Sequence, residues 1–113
     1  MCRLWHNSMK KTITFDRRSN KELQHFPIAV QVKFKALFRA LEIYGKLEEP
    51  EGKKLAGNSG LFEARVKYQG QWRAVYAYIK NDKIIVLTAF VKKTQKTPKA
   101  ELEKAKQRLL EYN

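Results

Sequence analysis

Three apolar runs follow one another with almost nothing between them. They are LFEARVKY (61–68), WRAVYAYI (72–79) and KIIVLTAFVKK (83–93). Each is rich in Val, Ile, Phe and Tyr, the side chains that suit a pleated surface. Gln69-Gly70-Gln71 separates the first two and Asn81-Asp82 the last two. Connections this short cannot carry a crossover, so the three strands must run antiparallel as consecutive hairpins. That fixes the centre of the fold, and the rest of the chain must cover it.

The flanking segments change period. KKTITFD (10–16) reads as a short strand. Ser19-Asn20-Lys21-Glu22 has capping-box spacing and predicts a helix from Ser19 to about His25, broken before Pro27. Pro27 suits the first turn of a second helix. There Val30, Phe34, Leu37, Phe38, Leu41 and Tyr44 line one face, with Gly45 as the stop. Residues 46–60, KLEEPEGKKLAGNSG, read as a loop. After Pro98, Leu102, Ala105 and Leu109 form a stripe, supported by Glu101–Lys104 and Glu103–Lys106 pairs. The predicted order is β-α-α-β-β-β-α: an α+β fold with an N-terminal strand and a helical hairpin packed on an antiparallel sheet, followed by a basic C-terminal helix. With 113 residues the chain makes one domain, placed at 10–113, with 1–9 as an extension outside it.

Charge narrows the function classes. Lys and Arg number 24 against 11 Asp and Glu, a formal net charge of +13. So basic a domain points to a nucleic-acid or other anionic partner. One cysteine, Cys2, excludes an internal disulfide and a cysteine metal site. No Asp/Glu/His cluster has metal-ligand spacing, so neither metal nor cofactor is expected. No run approaches the length of a membrane span, and a cytoplasmic protein is expected.

Strand register locates the basic residues. A two-residue turn at Asn81-Asp82 sets Arg73 opposite Phe90, Val75 opposite Thr88 and Ala77 opposite Val86. A three-residue loop at Gln69–Gln71 sets Lys67 opposite Arg73 and Arg65 opposite Val75. One sheet face then holds Phe62, Ala64, Val66, Tyr68, Trp72, Ala74, Tyr76, Tyr78, Ile85, Leu87, Ala89 and Val91, and is the expected core face. The other holds Glu63, Arg65, Lys67, Arg73, Val75, Thr88, Phe90 and Lys92. Single strand arginines are ordinarily solvated. Two arginines and lysines converging on a half-apolar face read as an anion site, with Glu63 neutralising part of the charge.

These residues match a known pattern. KKL (53–55), LFEARV (61–66), WRAVYAYI (72–79), IVLTAFVKKTQKTP (85–98) and ELEKAKQRL (101–109) resemble the HigB-like, phage-derived branch of the RelE/ParE toxin superfamily over roughly residues 10 to 112. The resemblance implies a RelE-like fold and the toxin of a type II toxin–antitoxin pair. It further implies a metal-independent endoribonuclease that cuts messenger RNA on the ribosome, and a cognate antitoxin with a helix-turn-helix DNA-binding fold. The family's functional positions fall on Arg65, Arg73, and Lys92 with Lys93. Trp72 stands where the family often has tyrosine. Thr88 and Ala89 stand where relatives often carry leucine and histidine or glycine, so a histidine acid/base is in doubt.

Bottom-up chemistry agrees on roles. His6 and His25 lie off the basic face. A lysine crowded by cations loses its proton more readily, which makes Lys92 the candidate base. Arg65 and Arg73 suit phosphate and transition-state charge. Phe90 is the candidate stacking platform. Lys67, Lys96, Lys99 and Lys104 are expected RNA contacts, with Lys106 and Arg108 adding affinity for ribosomal RNA. Rival readings are a gyrase-inhibiting toxin of the ParE kind, an inactive relative that only binds an antitoxin or DNA, and a non-catalytic module akin to a double-stranded RNA-binding domain. The N-terminal strand and helical hairpin do not belong to the latter.

Overall fold

The computed structural model describes residues 11–55, 57, 60–80, 82–93 and 97–112. The elements are β1 (Thr12–Phe15), α1 (Arg17–Gln24), α2 (Ile28–Tyr44), β2 (Gly52–Lys54), β3 (Leu61–Lys67), β4 (Gln71–Ile79), β5 (Lys83–Lys92) and α3 (Lys99–Leu110). They form one sheet in the order β1-β5-β4-β3-β2. The hairpins β3–β4 and β4–β5 are antiparallel, as is β2 on β3, whereas β1 joins the sheet parallel to β5. The sheet is thus mixed. Among the described residues no helix is long and apolar enough to cross a membrane.

Both faces of this sheet are covered. Val30, Phe34, Phe38 and Leu41 of α2, spaced for one helical face, bury against Ala64, Val66, Ala74, Tyr76 and Val86, with Leu23 of α1 alongside. Tyr44, expected in that stripe, is 73 % exposed instead, because the helix ends there and turns away at Gly45. Gly45 takes φ 81°, and its N–H bonds Leu41 O at 2.9 Å, closing the last turn as left-handed glycine caps do. On the opposite face Ala105, Leu102 and Leu109 of α3 cover Val75, Ala77, Ile85, Leu87 and Phe90.

Ile85 and Leu87 therefore lie under α3, on the opposite side of the sheet from Ala64, Val66 and Tyr76, with which they were expected to share a face. A bulge between Val75 and Tyr76 is the cause. Arg73 pairs Phe90 and Val75 pairs Thr88, but Tyr76 then pairs Val86 and Ala77 pairs Ile85, leaving Leu87 without a partner in β4. One extra residue moves every later side chain to the other face. At the first hairpin the loop is Tyr68–Gly70, so Lys67 pairs Gln71 and Arg65 pairs Arg73. The expected pairing is off by two residues, which preserves the facing. Asn81, half of the other expected turn, lies outside the described residues, as do residues 1–10, so His6 and the proposed 1–9 extension have no structural description.

Two further expectations change. Within 46–60, read as loop, Gly52–Lys54 forms β2. Its composition is poor for a strand, but β3 offers a free edge, and Gly52 fits where a Cβ would sit 2.4 Å from Leu47 Cβ. Helix α1 starts at Arg17, two residues before the expected Ser19, because Asp16 caps it. The Asp16 carboxylate accepts from Arg18 N at 2.8 Å, from the Arg18 guanidinium at 2.9 and 2.6 Å, and from Tyr112 Oη at 2.8 Å. Ser19 is buried inside the helix, its hydroxyl within reach of Asp16 O and Val86 O.

Asp16 has a pH signature. Its hydrogen bonds with Arg18, opposed by burial, hold the carboxyl far below the ordinary aspartate range. The unfolded chain therefore takes up this proton at higher pH than the folded one. The stabilisation is complete above the unfolded value and is lost as pH falls through the folded one. Asp16→Asn should cost about 1–3 kcal/mol near neutrality and flatten the decline in stability between about pH 5 and pH 2. Urea midpoints across that range test this; an unchanged slope refutes it.

Candidate phosphate-binding site

The site is built on Glu63, whose side chain is fully buried between two arginines. Glu63, Arg65 and Lys67 alternate on one face of β3, and Arg73 faces Arg65 from β4. Like charges directly opposite one another repel. The Glu63 carboxylate offsets this: Oε1 accepts from Arg65 Nε at 3.1 Å and lies 3.5 Å from Arg73 Nε. Its Oε2 accepts from Thr97 Oγ1 at 2.7 Å, tying the segment after β5 to the same carboxylate.

Arg73 is 6 % exposed. Its Nη1 donates to Trp72 O at 3.2 Å and its Nη2 to Gln71 Oε1, while Nε is buried without a hydrogen-bond partner. An unmatched buried guanidinium donor is costly, and an arriving anion oxygen would relieve that cost. Burial pushes the Arg73 pKa down, with Glu63 opposing and Arg65 adding to the fall. Lys92, half-buried at the end of β5 and paired with Gln71, behaves alike. Burial lowers its pKa, Glu63 opposes, and Arg73, Arg65 and Lys53 lower it further. Three cations thus converge on one carboxylate, leaving a positive excess beside partly dehydrated donors.

Arg65, Arg73 and Lys92 are brought together; Lys93 and Lys67 are exposed at the same end of the sheet. The remaining sequence candidates fall elsewhere. Phe90, expected as a stacking platform, is 8 % exposed and packs under α3, so its ring is occupied by the core. Lys104 pairs with Glu101 at 3.4 Å and lies 3.9 Å from Glu22. Arg108, expected to face RNA, is buried: its guanidinium donates to Glu22 at 3.1 and 3.0 Å and to Leu87 O at 2.7 Å. Lys99 is exposed at the start of α3, and Lys96 lies outside the described residues. His25 is exposed, with Nδ1 2.7 Å from Lys21 O, away from this cluster. Tyr76 is buried in an aromatic group with Phe62 and Tyr78, and burial raises its pKa.

Sequence reasoning missed the centrality of Glu63 and the partnership of Thr97. The alternation in LFEARV marked Glu63 as facing the arginines, but only the fold shows that its side chain is fully buried among Arg65, Arg73 and Thr97.

A cleft of about 580 Å³ opens from this cluster across the sheet edge to α2, and Arg65, Arg73 and Gln71 are among the residues that line it. Among the described residues no group of three or more His, Cys, Asp or Glu could hold a metal ion.

Residues 21–110 match the family model described as "Phage derived protein Gp49-like (DUF891)". The chain belongs to the phage-derived Gp49-like family. No curated protein sequence matches it significantly. Solved structures share the fold of this Gp49-like protein. The E. coli toxin RelE, a mutant in the free state, is 19 % identical, with a TM-score of 0.63 over 92 % of this chain and 98 % of that one. The toxin–antitoxin complex RelBE2 from Mycobacterium tuberculosis gives 20 %, 0.58, 74 % and 93 %. The intact E. coli RelBE toxin–antitoxin complex gives 23 %, 0.58, 74 % and 99 %. At these identities the likeness establishes a RelE-type fold.

Proposed function

We propose that this Gp49-like protein is the toxin of a type II toxin–antitoxin pair and cuts messenger RNA without a metal ion. The observation that carries the reading is the Arg65–Glu63–Arg73 cluster with Lys92 beside it, on a fold otherwise seen in RelE toxins. RNA transesterification needs the 2′-hydroxyl deprotonated, the phosphorane charge held and the leaving 5′-oxygen protonated. Lys92, lowered by burial and cationic neighbours, takes the 2′-hydroxyl proton. The 2′-oxygen attacks phosphorus and the bond to the 5′-oxygen breaks. Arg65 and Arg73 hold the charge that develops on the phosphoryl oxygens. Lys93, an exposed ammonium, protonates the 5′-oxygen.

A site that has, among the described residues, no imidazole or carboxylic acid placed on the phosphate is a slow nuclease on free RNA. A ribosome would supply the missing orientation of the scissile bond. Translated message is thus the substrate, and exposed basic residues such as Lys67 and Lys99 hold nearby phosphates. Two of the similar structures are complexes of a toxin with its antitoxin. By analogy the partner here is an antitoxin, acidic or amphipathic where it covers a chain of net charge +13.

Expression of the protein alone, with message ends mapped after induction, tests the reading. Growth arrest with new ends inside open reading frames is expected, and Arg65→Ala should reduce those ends about tenfold or more. Filamentation with DNA damage and intact messages would instead indicate gyrase inhibition.

A further inference from the structure

The cleft beside the arginines extends past the residues that the nuclease reading uses. It crosses the edge of β3 beyond the end of β2 and reaches α2. We propose that it is a nucleotide subsite: RNA leaving the arginine pair passes over this edge, one base lies in the cleft, and Lys33 holds the phosphate on its far side. This rests on the nuclease reading above and extends the RNA path onto a helix that reading does not involve.

The lining matches a nucleotide. Leu37, Pro50 and Val66 give apolar walls for a base, while Lys33 and Lys67, both exposed, stand where a backbone would emerge. A volume of about 580 Å³ exceeds what one nucleotide needs and leaves room for water. The wall also carries the carboxylate of Glu51. A carboxylate accepts hydrogen bonds from the amino or imino groups of a base, which gives the cleft a polar contact suited to a nucleobase. Continuity is the second argument. Arg65 and Arg73 line the same cleft, and among the described residues the buried Arg73 Nε makes no hydrogen bond, with the Glu63 carboxylate 3.5 Å away. A phosphate at that end directs the next nucleotide into the cleft.

Helix α2 supplies its own control. Lys33 and Lys35 are both exposed, two residues apart and thus on different sides of the helix, and only Lys33 lines the cleft. The experiment measures binding of a single-stranded oligoribonucleotide of about eight nucleotides. Its riboses are 2′-O-methylated so that it cannot be cut. At about 0.15 M salt, where distant surface charges are screened, Lys33→Glu should weaken binding about tenfold and Lys35→Glu less than about twofold. Lys33→Ala should lower the slope of log affinity against log salt by about 0.7, the value for one phosphate on a single strand. Ala36→Trp, which fills the cleft from α2 without altering charge, should weaken binding about as much as Lys33→Glu.

Equal effects of Lys33→Glu and Lys35→Glu, or full affinity in Ala36→Trp, overturn the subsite. So does a Lys33→Glu effect confined to an acidic peptide probe with RNA affinity unchanged. A wild-type protein that binds this RNA and cleaves translated message while Lys33→Glu does both equally well loses the subsite and keeps the nuclease. A wild type that leaves messages intact loses the nuclease reading itself.

Discussion

Arg73→Ala is expected to abolish nearly all message cleavage, lowering the rate by about 10²–10³ while the protein stays folded. The size follows from where Arg73 sits. Its guanidinium is 6 % exposed, fixed by Trp72 O and Gln71 Oε1, with Glu63 at 3.5 Å. A donor fixed before the reaction pays little reorganisation as phosphorane charge develops, and partial dehydration strengthens each contact. Arg73→Lys should recover under a tenth of the activity, because one ammonium cannot replace a planar fork held at two points. The rate should fall more than apparent affinity for the ribosome or RNA, since many other cations contribute to binding. Single-turnover cleavage of a message on stalled ribosomes measures this, with the melting temperature as the folding control. A folded Arg73→Ala protein that cleaves at the wild-type rate removes Arg73, and with it the proposed chemistry.

Much of this site could be read in the letters, for a specific reason. Strand alternation is a two-state property, so Glu63, Arg65, Arg73 and Lys92 fell on one face provided the parity of each turn was right. The first hairpin shows the tolerance: an error of two residues in pairing left every side chain on its correct face. The bulge shows the limit. Nothing in YAYIKNDKIIVLT marks Leu87 as the residue without a β4 partner, and that one residue sent Ile85 and Leu87 to the opposite side. Propensity also missed β2, a strand of one glycine and two lysines that exists because β3 has an edge to pair. The capping box at Ser19–Glu22 failed through competition. Asp16 reaches the helix N-terminus and Arg18 at once, which frees Glu22 for Ala89 N and Arg108. Local signals cannot anticipate partners 60 to 90 residues away. For the same reason Arg108 and Lys104 looked like RNA contacts: charge on a helix reads as solvated until the acids facing it are known.

Arg108→Ala should be the most destabilising of the charge removals, at about 2–4 kcal/mol. The Arg108 guanidinium joins three elements at once. It forks onto both oxygens of Glu22 in α1, at 3.1 and 3.0 Å, and caps the carbonyl of Leu87 in β5 at 2.7 Å. Leu87 is the bulged residue with no β4 partner, so Arg108 compensates for the local break in the ladder. Removing it leaves the Glu22 carboxylate with Ala89 N at 3.0 Å, Thr88 Oγ1 at 3.3 Å and Lys104 at 3.9 Å as remaining partners. The Glu22 side chain is 24 % exposed, so water recovers part of its solvation; the cost therefore sits below that of a fully buried pair. In a domain of this size the melting temperature should fall by about 10 °C. A double-mutant cycle separates ion pairing from packing. Glu22→Leu with Arg108→Leu removes both charges, so its loss should be at least about 1 kcal/mol smaller than the two single losses combined. Strictly additive losses would mean that the fork contributes nothing beyond the volume of its side chains, and that α3 is held to the sheet by Leu102, Ala105 and Leu109 alone.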